Sequence, residues 1–181
     1  MSLIFDLDKT PMSRELCGLL YMPEVDGEVK HFKDGEISVN INSSVRGQDV
    51  FIISSISTPV NEKLMAVLIV ADALKRASCG WINLICPYLG YSRQDRKTEP
   101  RQPITARLVA DLLQTAGINR VITVDLHATQ IVGFYNIPVD NVSMVPVAAY
   151  QLSECINNPD MCVVVSPDHG GVTRAKTFAD N

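Results

Sequence analysis

The fold of this chain is decided by three short apolar segments: Val50-Phe-Ile-Ile-Ser54, Trp81-Ile-Asn-Leu-Ile-Cys86 and Arg120-Val-Ile-Thr-Val124. Each has the length and the β-branched content of a buried strand. Helical patterns over residues 59–77 and 103–116 separate them. This β-α-β-α-β order predicts a parallel sheet that helices cover on both faces. We therefore predict an α/β fold.

Local signals mark the ends of several predicted helices. Thr10-Pro11 and Thr58-Pro59 each predict an N-cap followed by proline at the first helical position. Gly117 predicts the end of the helix that begins near residue 103. One helix should turn a stripe of apolar residues toward the core. The stripe consists of Leu64, Val67, Leu68, Ala71 and Leu74.

The remaining pattern predicts a hairpin and a second unit. Strands are predicted at residues 3–7, 29–32, 37–41 and 162–166, and helices at 11–21, 145–156 and 170–179. Lys33-Asp34-Gly35 predicts a turn between two of these strands. The connection at residues 137–146 is the best candidate for a boundary. We expect one domain over residues 1–144 and the incomplete beginning of a second α/β domain over residues 145–181.

Composition excludes some classes of protein. The chain has 181 residues, of which 46% are hydrophobic and 20% charged, with a net charge of −4. These values suit a globular protein and argue against wholesale binding of nucleic acid. The five cysteines form no C-x-x-C pair, which suits a reducing cytoplasm. We find no secretory signal and no apolar stretch long enough to span a membrane.

The run from Asp125 to Asp140 carries the first candidate site. Asp125 and His127 follow a predicted buried strand directly, where a carboxylate, an imidazole and Asp140 suit a divalent metal that holds phosphates. Mg²⁺ prefers oxygen ligands, so His127 would be an unusual direct ligand and is as well placed to contact a phosphate or an outer-sphere water. From the residues alone, a structural role for His127 is slightly favoured.

A cationic segment, Tyr91-Ser-Arg-Gln-Asp-Arg-Lys-Thr-Glu-Pro-Arg101, follows the strand that ends at Cys86. Its four basic residues suit a clamp on a polyphosphate. The alternative is a solvated surface loop, which charge runs more often are.

A third segment, Ser166-Pro-Asp-His-Gly-Gly-Val-Thr-Arg174, predicts a strand, a turn and the start of a helix. Free backbone N–H groups at such a turn favour anions, and Asp168 is placed to hold a metal beside them. The Gly-Gly pair has a purely steric explanation as well.

Together these stretches resemble the amino-terminal part of class I ribose-phosphate diphosphokinases, also called phosphoribosyl pyrophosphate synthetases. The resemblance extends in family order from Phe32 to the end of the chain and is weak over the first thirty residues. The matching runs are Phe32-Lys-Asp-Gly-Glu36, Ser44-Val-Arg-Gly47, Asp72-Ala-Leu-Lys-Arg-Ala77, Pro87-Tyr-Leu-Gly-Tyr-Ser-Arg-Gln-Asp-Arg-Lys97, Arg101-Gln-Pro-Ile104, Asp125 to Asp140 and Ser166-Pro-Asp-His-Gly-Gly171.

The resemblance implies a phosphoribosyltransferase-like fold and a role in nucleotide biosynthesis. It implies transfer of the β,γ-diphosphoryl group of ATP to the 1-hydroxyl of ribose 5-phosphate, giving phosphoribosyl pyrophosphate and AMP. Mg²⁺ is the implied cofactor, and a homo-oligomer, hexameric in full-length members, is the implied assembly.

The resemblance also implies roles for individual residues. Arg93 and Gln94 would contact ATP, while Asp34, Gly35 and Glu36 would bind its adenine end, with the two carboxylates reaching in from a neighbouring subunit. The implied metal site comprises His127, Asp168, Asp125 and Asp140.

Two kinds of departure from the family pattern are present. Val132 and Asn136 stand where the family commonly has Gln and Asp, which weakens any auxiliary metal site that uses position 136. The family's Lys/Arg catalytic loop and its ribose 5-phosphate loop have no counterpart up to Asn181. We therefore expect these 181 residues alone to be inactive. The alternative is a non-catalytic regulatory or assembly subunit of the same superfamily.

Overall fold

The structure is a computed structural model that describes residues 1–156 and 162–181. Its contacts divide the chain into two compact units, Met1–Asn141 and Val142–Asn181. The strands, in chain order, are β1 Ser2–Asp6, β2 Gly27–His31, β3 Ile37–Ile41, β4 Asp49–Ile53, β5 Trp81–Cys86, β6 Arg120–Val124 and β7 Val139–Val142. The helices are α1 Pro11–Leu20, α2 Val60–Arg76, α3 Thr105–Ala116, α4 Val145–Ser153 and α5 Val172–Ala179, with 3₁₀ helices at Thr129–Phe134 and His169–Gly171.

The main sheet has the strand order β1-β4-β5-β6-β7. Neighbouring strands from β1 to β6 pair in parallel. In this register Ile53 lies beside Ile85, and Cys86 lies beside Thr123. The carboxyl ends of β4, β5 and β6 therefore meet at one edge of the sheet, which is where open α/β sheets bind ligands. The predicted parallel α/β sheet is confirmed.

Helix α2 buries the predicted apolar stripe. Val67, Ala71 and Leu74 are fully buried, and Leu64 and Leu68 pack partly buried against the core. Fully burying a valine or leucine side chain stabilises a fold by about 1.5–3 kcal/mol. Helical spacing therefore identified the face that holds α2 on the sheet.

The predicted helix ends are confirmed in two cases and wrong by one or two residues in others. Thr10 is the N-cap of α1, with Pro11 in its first turn, and Gly117 ends α3 at φ +117°. The N-cap of α2 is Pro59 rather than Thr58, because Pro59 keeps an extended ψ of 112° and helical geometry begins at Val60. Helix α3 begins at Thr105 rather than Pro103, because the N-cap residue Ile104, with φ −112° and ψ 83°, is not yet helical.

The predicted hairpin forms a separate two-stranded sheet of β2 and β3. Phe32 and Glu36 close its turn through a backbone hydrogen bond of 2.8 Å. Gly35 has φ +94°, a conformation that side chains disfavour. The ring nitrogen Nε2 of His31 lies 2.9 Å from Oε1 of Glu62 and connects the hairpin to α2.

Strand β7 lies within residues 137–146, for which the sequence predicts a connection and no strand. This strand has four residues and contains Asp140 and Asn141, which have low strand propensity. It forms because it adds to an existing sheet, next to β6 in the strand order.

In the second unit the predicted strand at residues 162–166 is wrong. The segment has no regular secondary structure, and Val163 and Val165 are 83% and 78% exposed. The described residues of this unit after Val142 contain no strand that could pair with it, and an apolar segment becomes a strand only when a neighbour completes its hydrogen bonds.

Helices α4 and α5 pack on each other. Their observed bounds are shorter than the predicted 145–156 and 170–179.

In residues 1–156 and 162–181 no helix is both long and apolar enough to cross a membrane.

Candidate functional site

Two of the predicted site segments start from neighbouring strands. The cationic loop, defined as residues 91–101, follows β5 after one turn, and Asp125 and His127 follow β6 directly. Because β5 and β6 are adjacent and parallel, both segments leave the same edge of the sheet. The fold thus brings together the cationic loop and the start of the run from Asp125 to Asp140, two segments that are separate in the sequence.

The basic side chains of the cationic loop are exposed and available. Arg93, Arg96, Lys97 and Arg101 are all exposed, and none pairs with a carboxylate among the described residues. Guanidinium groups in this state offer several N–H donors to phosphate oxygens. The loop therefore has the donors that a polyphosphate site requires.

The cationic loop is held in place by hydrogen bonds to three other elements. Tyr91 donates through its hydroxyl to Oδ1 of Asn61 in α2. Thr105, at the start of α3, donates through its hydroxyl to Oε1 of Gln94 at 2.6 Å. Nε2 of Gln130, in the 3₁₀ helix after His127, donates to Oδ2 of Asp95 at 2.7 Å. These anchors fix the backbone that carries the basic side chains.

The side chain of Gln102 holds the carboxyl-terminal end of the cationic loop through three hydrogen bonds. Oε1 of Gln102 accepts from the backbone N–H of Thr98 at 3.0 Å, from its hydroxyl at 2.8 Å and from the N–H of Glu99 at 3.1 Å. One amide oxygen thus organises the turn between Thr98 and Gln102.

The hydrogen bond from Thr105 also orients the predicted ATP contact Gln94. It occupies the amide oxygen, while the amide nitrogen has no partner within the described part of the chain. The hydrogen bond to the amide oxygen fixes the orientation of the whole amide group. Because Gln94 is exposed, its amide nitrogen can donate a hydrogen bond to a ligand.

Asp125 and His127 lie in the turn after β6. Asp125 has φ 43°, a left-handed conformation that is uncommon outside glycine and is often found at functional turns. The backbone N–H of Leu126 donates to Oδ1 of Asn141 at 3.0 Å, which ties the turn to β7. His127 is exposed, and its imidazole forms no hydrogen bond with the residues that the structure describes.

Asp140 points to a different partner. Its carboxylate accepts two hydrogen bonds from Arg120, the first residue of β6, with Nε–Oδ2 at 2.5 Å and Nη2–Oδ1 at 3.0 Å. Hydrogen bonding from Arg120 lowers the pKa of the Asp140 carboxyl. The next residue, Asn141, points to the opposite face of the strand and contacts the turn after β6. The neighbour of Asp140, not Asp140 itself, therefore contacts this turn.

Asp168 lies in the second unit and caps the His169–Gly171 3₁₀ helix. Its Oδ1 accepts from the N–H of Gly171 at 2.9 Å, and its backbone carbonyl accepts from the Ser166 hydroxyl at 2.6 Å. A Cβ at Gly171 would lie 2.5 Å from the Ser166 oxygen, so this glycine has a steric role. The predicted role of Asp168 at a metal stays a prediction.

The hairpin tip presents Asp34, Gly35 and Glu36 to solvent. The N–H of Glu36 donates to Oδ1 of Asp34 at 3.1 Å, which fixes one oxygen of that carboxylate within the turn. The expected contact of these residues with adenine stays a prediction.

The acidic residues do not form a preassembled metal cage. Among the described residues, no group of three or more His, Cys, Asp or Glu side chains is arranged to hold a metal ion. Mg²⁺ commonly needs only one or two carboxylates and takes its other ligands from water and phosphate. The half-buried Asp125 and the exposed His127 fit that looser type of site, in which the ion arrives with its nucleotide.

Comparison with known proteins decides the family. Residues 2–117 match the model of the N-terminal domain of ribose phosphate pyrophosphokinase. The chain belongs to the ribose-phosphate pyrophosphokinase family. The match covers β1 to α3, so the cationic loop and the hairpin both lie within the matched domain.

Curated relatives carry the same family name. A ribose-phosphate pyrophosphokinase of Staphylococcus aureus (strain Mu50 / ATCC 700699) is 58% identical over 153 residues, which are 84% of this chain and 48% of the relative. The enzyme of that name from Staphylococcus haemolyticus is 53% identical over 171 residues, 94% of this chain and 53% of the relative. The chain spans about half the length of these pyrophosphokinases.

A solved structure from the family has the same fold. The crystal structure of phosphoribosylpyrophosphate synthetase from Mycobacterium smegmatis aligns with a TM-score of 0.92 at 41% identity, covering 99% of this chain and 60% of that one. The identification as an amino-terminal portion of a ribose-phosphate pyrophosphokinase is therefore confirmed.

Sequence reasoning missed the residues that organise the site. Asn61, Thr105, Gln130 and Asn141 hold the cationic loop and the turn after β6, although none was predicted to matter. All four are neutral polar residues whose partners are at least eleven positions away in the sequence. Local spacing carries no signal for such contacts.

Proposed function

We propose that this chain supplies the nucleotide-binding half of a ribose-phosphate diphosphokinase. The complete reaction transfers the β,γ-diphosphoryl group of ATP to the 1-hydroxyl of ribose 5-phosphate and yields phosphoribosyl pyrophosphate and AMP. The observation that carries the proposal is the cationic loop, which is anchored at the carboxyl edge of the sheet. Its four basic side chains are exposed and form no ion pair among the described residues. Family membership makes ATP the polyphosphate to expect there.

In the proposed binding mode, particular side chains of the cationic loop contact the nucleotide. Arg93 and its basic neighbours neutralise and orient the phosphates, and the amide nitrogen of Gln94 donates to the nucleotide. Diphosphoryl transfer depends mainly on in-line positioning and charge neutralisation, so rigid anchoring of this loop matters as much as its charge.

Mg²⁺ is the cofactor we propose for this site. When bound, it would neutralise phosphate oxygens and help to orient the transferred group. Asp125 and His127 are proposed to hold it directly or through water at the sheet edge. Asp168 is proposed as a further contact, and Asp140 as an outer-sphere one, because Arg120 already occupies both of its carboxylate oxygens.

The test of the nucleotide site is a calorimetric titration with Mg²⁺–ATP. Arg93→Ala should weaken binding about tenfold, because one charge-assisted contact is lost. Arg14→Ala in α1, another exposed arginine, serves as the matched control and should bind like the parent chain. Equal binding by the parent chain and Arg93→Ala would contradict the assignment.

Catalysis is proposed to need more than these 181 residues, because the resemblance implies a Lys/Arg catalytic loop for which we identify no match among them. With Mg²⁺ and ribose 5-phosphate we expect no sugar-dependent AMP release from ATP. AMP release that requires the sugar and disappears in Asp168→Ala would show that the residues present suffice.

Self-association is also proposed, in line with the homo-oligomer that the resemblance implies. Helix α3 exposes Leu108 and Leu112 at 55% and 38%, one helical turn apart on one side. Light scattering should report a dimer or larger species for the parent chain and for Leu19→Lys, whose leucine lies in α1. Leu108→Lys should shift the population toward monomer, and an unchanged mass would exclude α3 from the interface.

A further inference from the structure

Asp95 lies between basic residues of the cationic loop and pairs with none of them among the described residues. Arg93 precedes it by two positions and Arg96 follows it directly. Its Oδ2 instead accepts a hydrogen bond of 2.7 Å from Nε2 of Gln130, and no ion pair forms at Asp95 within residues 1–156 and 162–181. A carboxylate that basic residues flank in the sequence is thus held by a neutral side chain.

The pairing of Asp95 with Gln130 affects how the neighbouring arginines can bind phosphate. Arginine binds carboxylates and phosphates through the same two-point geometry, so a free carboxylate at position 95 would compete with a polyphosphate for the neighbouring guanidinium groups. Gln130 engages the carboxylate without adding charge. The loop stays electropositive, and its arginines are exposed and form no ion pair in the part of the chain that the structure describes.

Gln130 is itself presented from a fixed position. It belongs to the Thr129–Phe134 3₁₀ helix, where the adjacent Ile131 is completely buried. The N–H of Ile131 donates to the carbonyl of Ala128 at 3.2 Å, and the 3₁₀ helix packs against α3. The amide of Gln130 therefore links the cationic loop to a rigid turn that begins two residues after His127.

We infer that Gln130 is a positioning residue of the polyphosphate site. By holding the Asp95 carboxylate it keeps Arg93 and Arg96 available to phosphate, and it fixes the loop relative to His127. This inference rests on the proposed nucleotide-binding function. It adds Gln130 to that site as a residue that affects phosphate binding through its contact with Asp95.

The experiment is a double-mutant comparison on the full 181-residue chain. Dissociation constants for Mg²⁺–ATP and for inorganic triphosphate are measured by calorimetry for the parent chain, Gln130→Ala, Asp95→Asn and the double variant. Gln130→Met repeats the test with a side chain of similar length, and Gln151→Ala in α4 is the matched control. Thermal unfolding of each variant checks that the fold is retained.

Gln130→Ala and Gln130→Met should each weaken binding of both probes about tenfold, the effect expected for one charge-assisted contact. The double variant should return to within about twofold of the parent chain, because the competing carboxylate is gone. A residue that merely stabilises the loop would give a double variant at least as weak as Gln130→Ala.

Three results would overturn the inference. They are parent-like binding by Gln130→Ala and Gln130→Met, a double variant that stays as weak as Gln130→Ala, and an equal loss in Gln151→Ala. If the parent chain binds neither probe, the proposed function fails and this inference fails with it. Binding by the parent chain with unaffected Gln130 variants removes the inference alone.

Discussion

Arg120 and Asp140 form a two-point ion pair that joins the first residue of β6 to β7. Both side chains are partly exposed, at 46% and 40%. The pair holds β7 against β6. It also engages both oxygens of the Asp140 carboxylate, which the sequence resemblance implied to be part of a metal site.

The first prediction concerns the pH dependence of this pair. Hydrogen bonding from Arg120 lowers the folded-state pKa of Asp140, so the pair stabilises the fold above the unfolded-state value of about 3.9. That contribution is lost as the pH falls through the lowered folded-state pKa. Asp140→Asn should therefore be less stable than the parent chain at pH 7, and the difference in urea unfolding should shrink below about pH 4. A difference that is equal at pH 7 and pH 3 would contradict the assignment.

The second prediction ranks the proposed metal contacts. Asp125→Asn should weaken Mn²⁺ binding in the presence of ATP about tenfold, the lower end of the effect usual for removal of a metal-supporting group. Asp140→Asn should have a smaller effect, because Arg120 holds that carboxylate. Electron paramagnetic resonance of free Mn²⁺ measures both constants. A larger loss in Asp140→Asn would place the ion at β7 and show that the ion pair opens on binding.

The third prediction concerns the tight turn that leads into the cationic loop. A Cβ at Gly90 would lie 2.6 Å from the carbonyl oxygen of Ile56 and 2.8 Å from its Cγ2. Gly90→Ala should destabilise the fold by about 1–3 kcal/mol through this overlap. The matched change Gly18→Ala, where a Cβ meets nothing within 4 Å inside α1, should stabilise it by about 0.5–1 kcal/mol. Chemical unfolding measures both, and equal effects would contradict the packing at Gly90.

The fourth prediction concerns thiol reactivity. Burial raises the pKa of the Cys86 thiol to about 12, so this residue is protonated at pH 8. Cys155 and Cys162 are exposed. Brief alkylation of the folded chain at pH 8, read by peptide mass spectrometry, should label these two and leave Cys86 unmodified. Labelling of Cys86 at a similar rate would show that the end of β5 is open to solvent.

The sheet was predictable because its signals are local. Apolar runs such as Trp81–Cys86 and the α2 stripe around Val67 and Leu74 need only spacing and side-chain type to indicate burial. The strand predicted at residues 162–166 failed because its formation depends on a partner strand. Strand β7 was missed for the complementary reason, since its sequence is weak and the sheet edge beside β6 determines its conformation.

The site was predictable in its charges but not in its connections. Arg93 and His127 stand in motifs that their residue types identify, and the fold places both segments at one edge of the sheet. The contacts Asp95–Gln130 and Gln94–Thr105 join residues that only the tertiary fold brings together. The pairing of Asp140 with Arg120 was likewise invisible, because both residues have other plausible partners in the sequence.

The central claim is that Mg²⁺–ATP binds between the cationic loop and the turn after β6. Its most direct test is a titration of the ¹⁵N-labelled chain with Mg²⁺ and a non-hydrolysable ATP analogue, followed by amide chemical shifts. We predict saturable shifts concentrated at Arg93, Gln94 and Lys97 and at the turn containing Leu126 and His127. Shifts confined to other elements, or none at millimolar nucleotide, would contradict the claim.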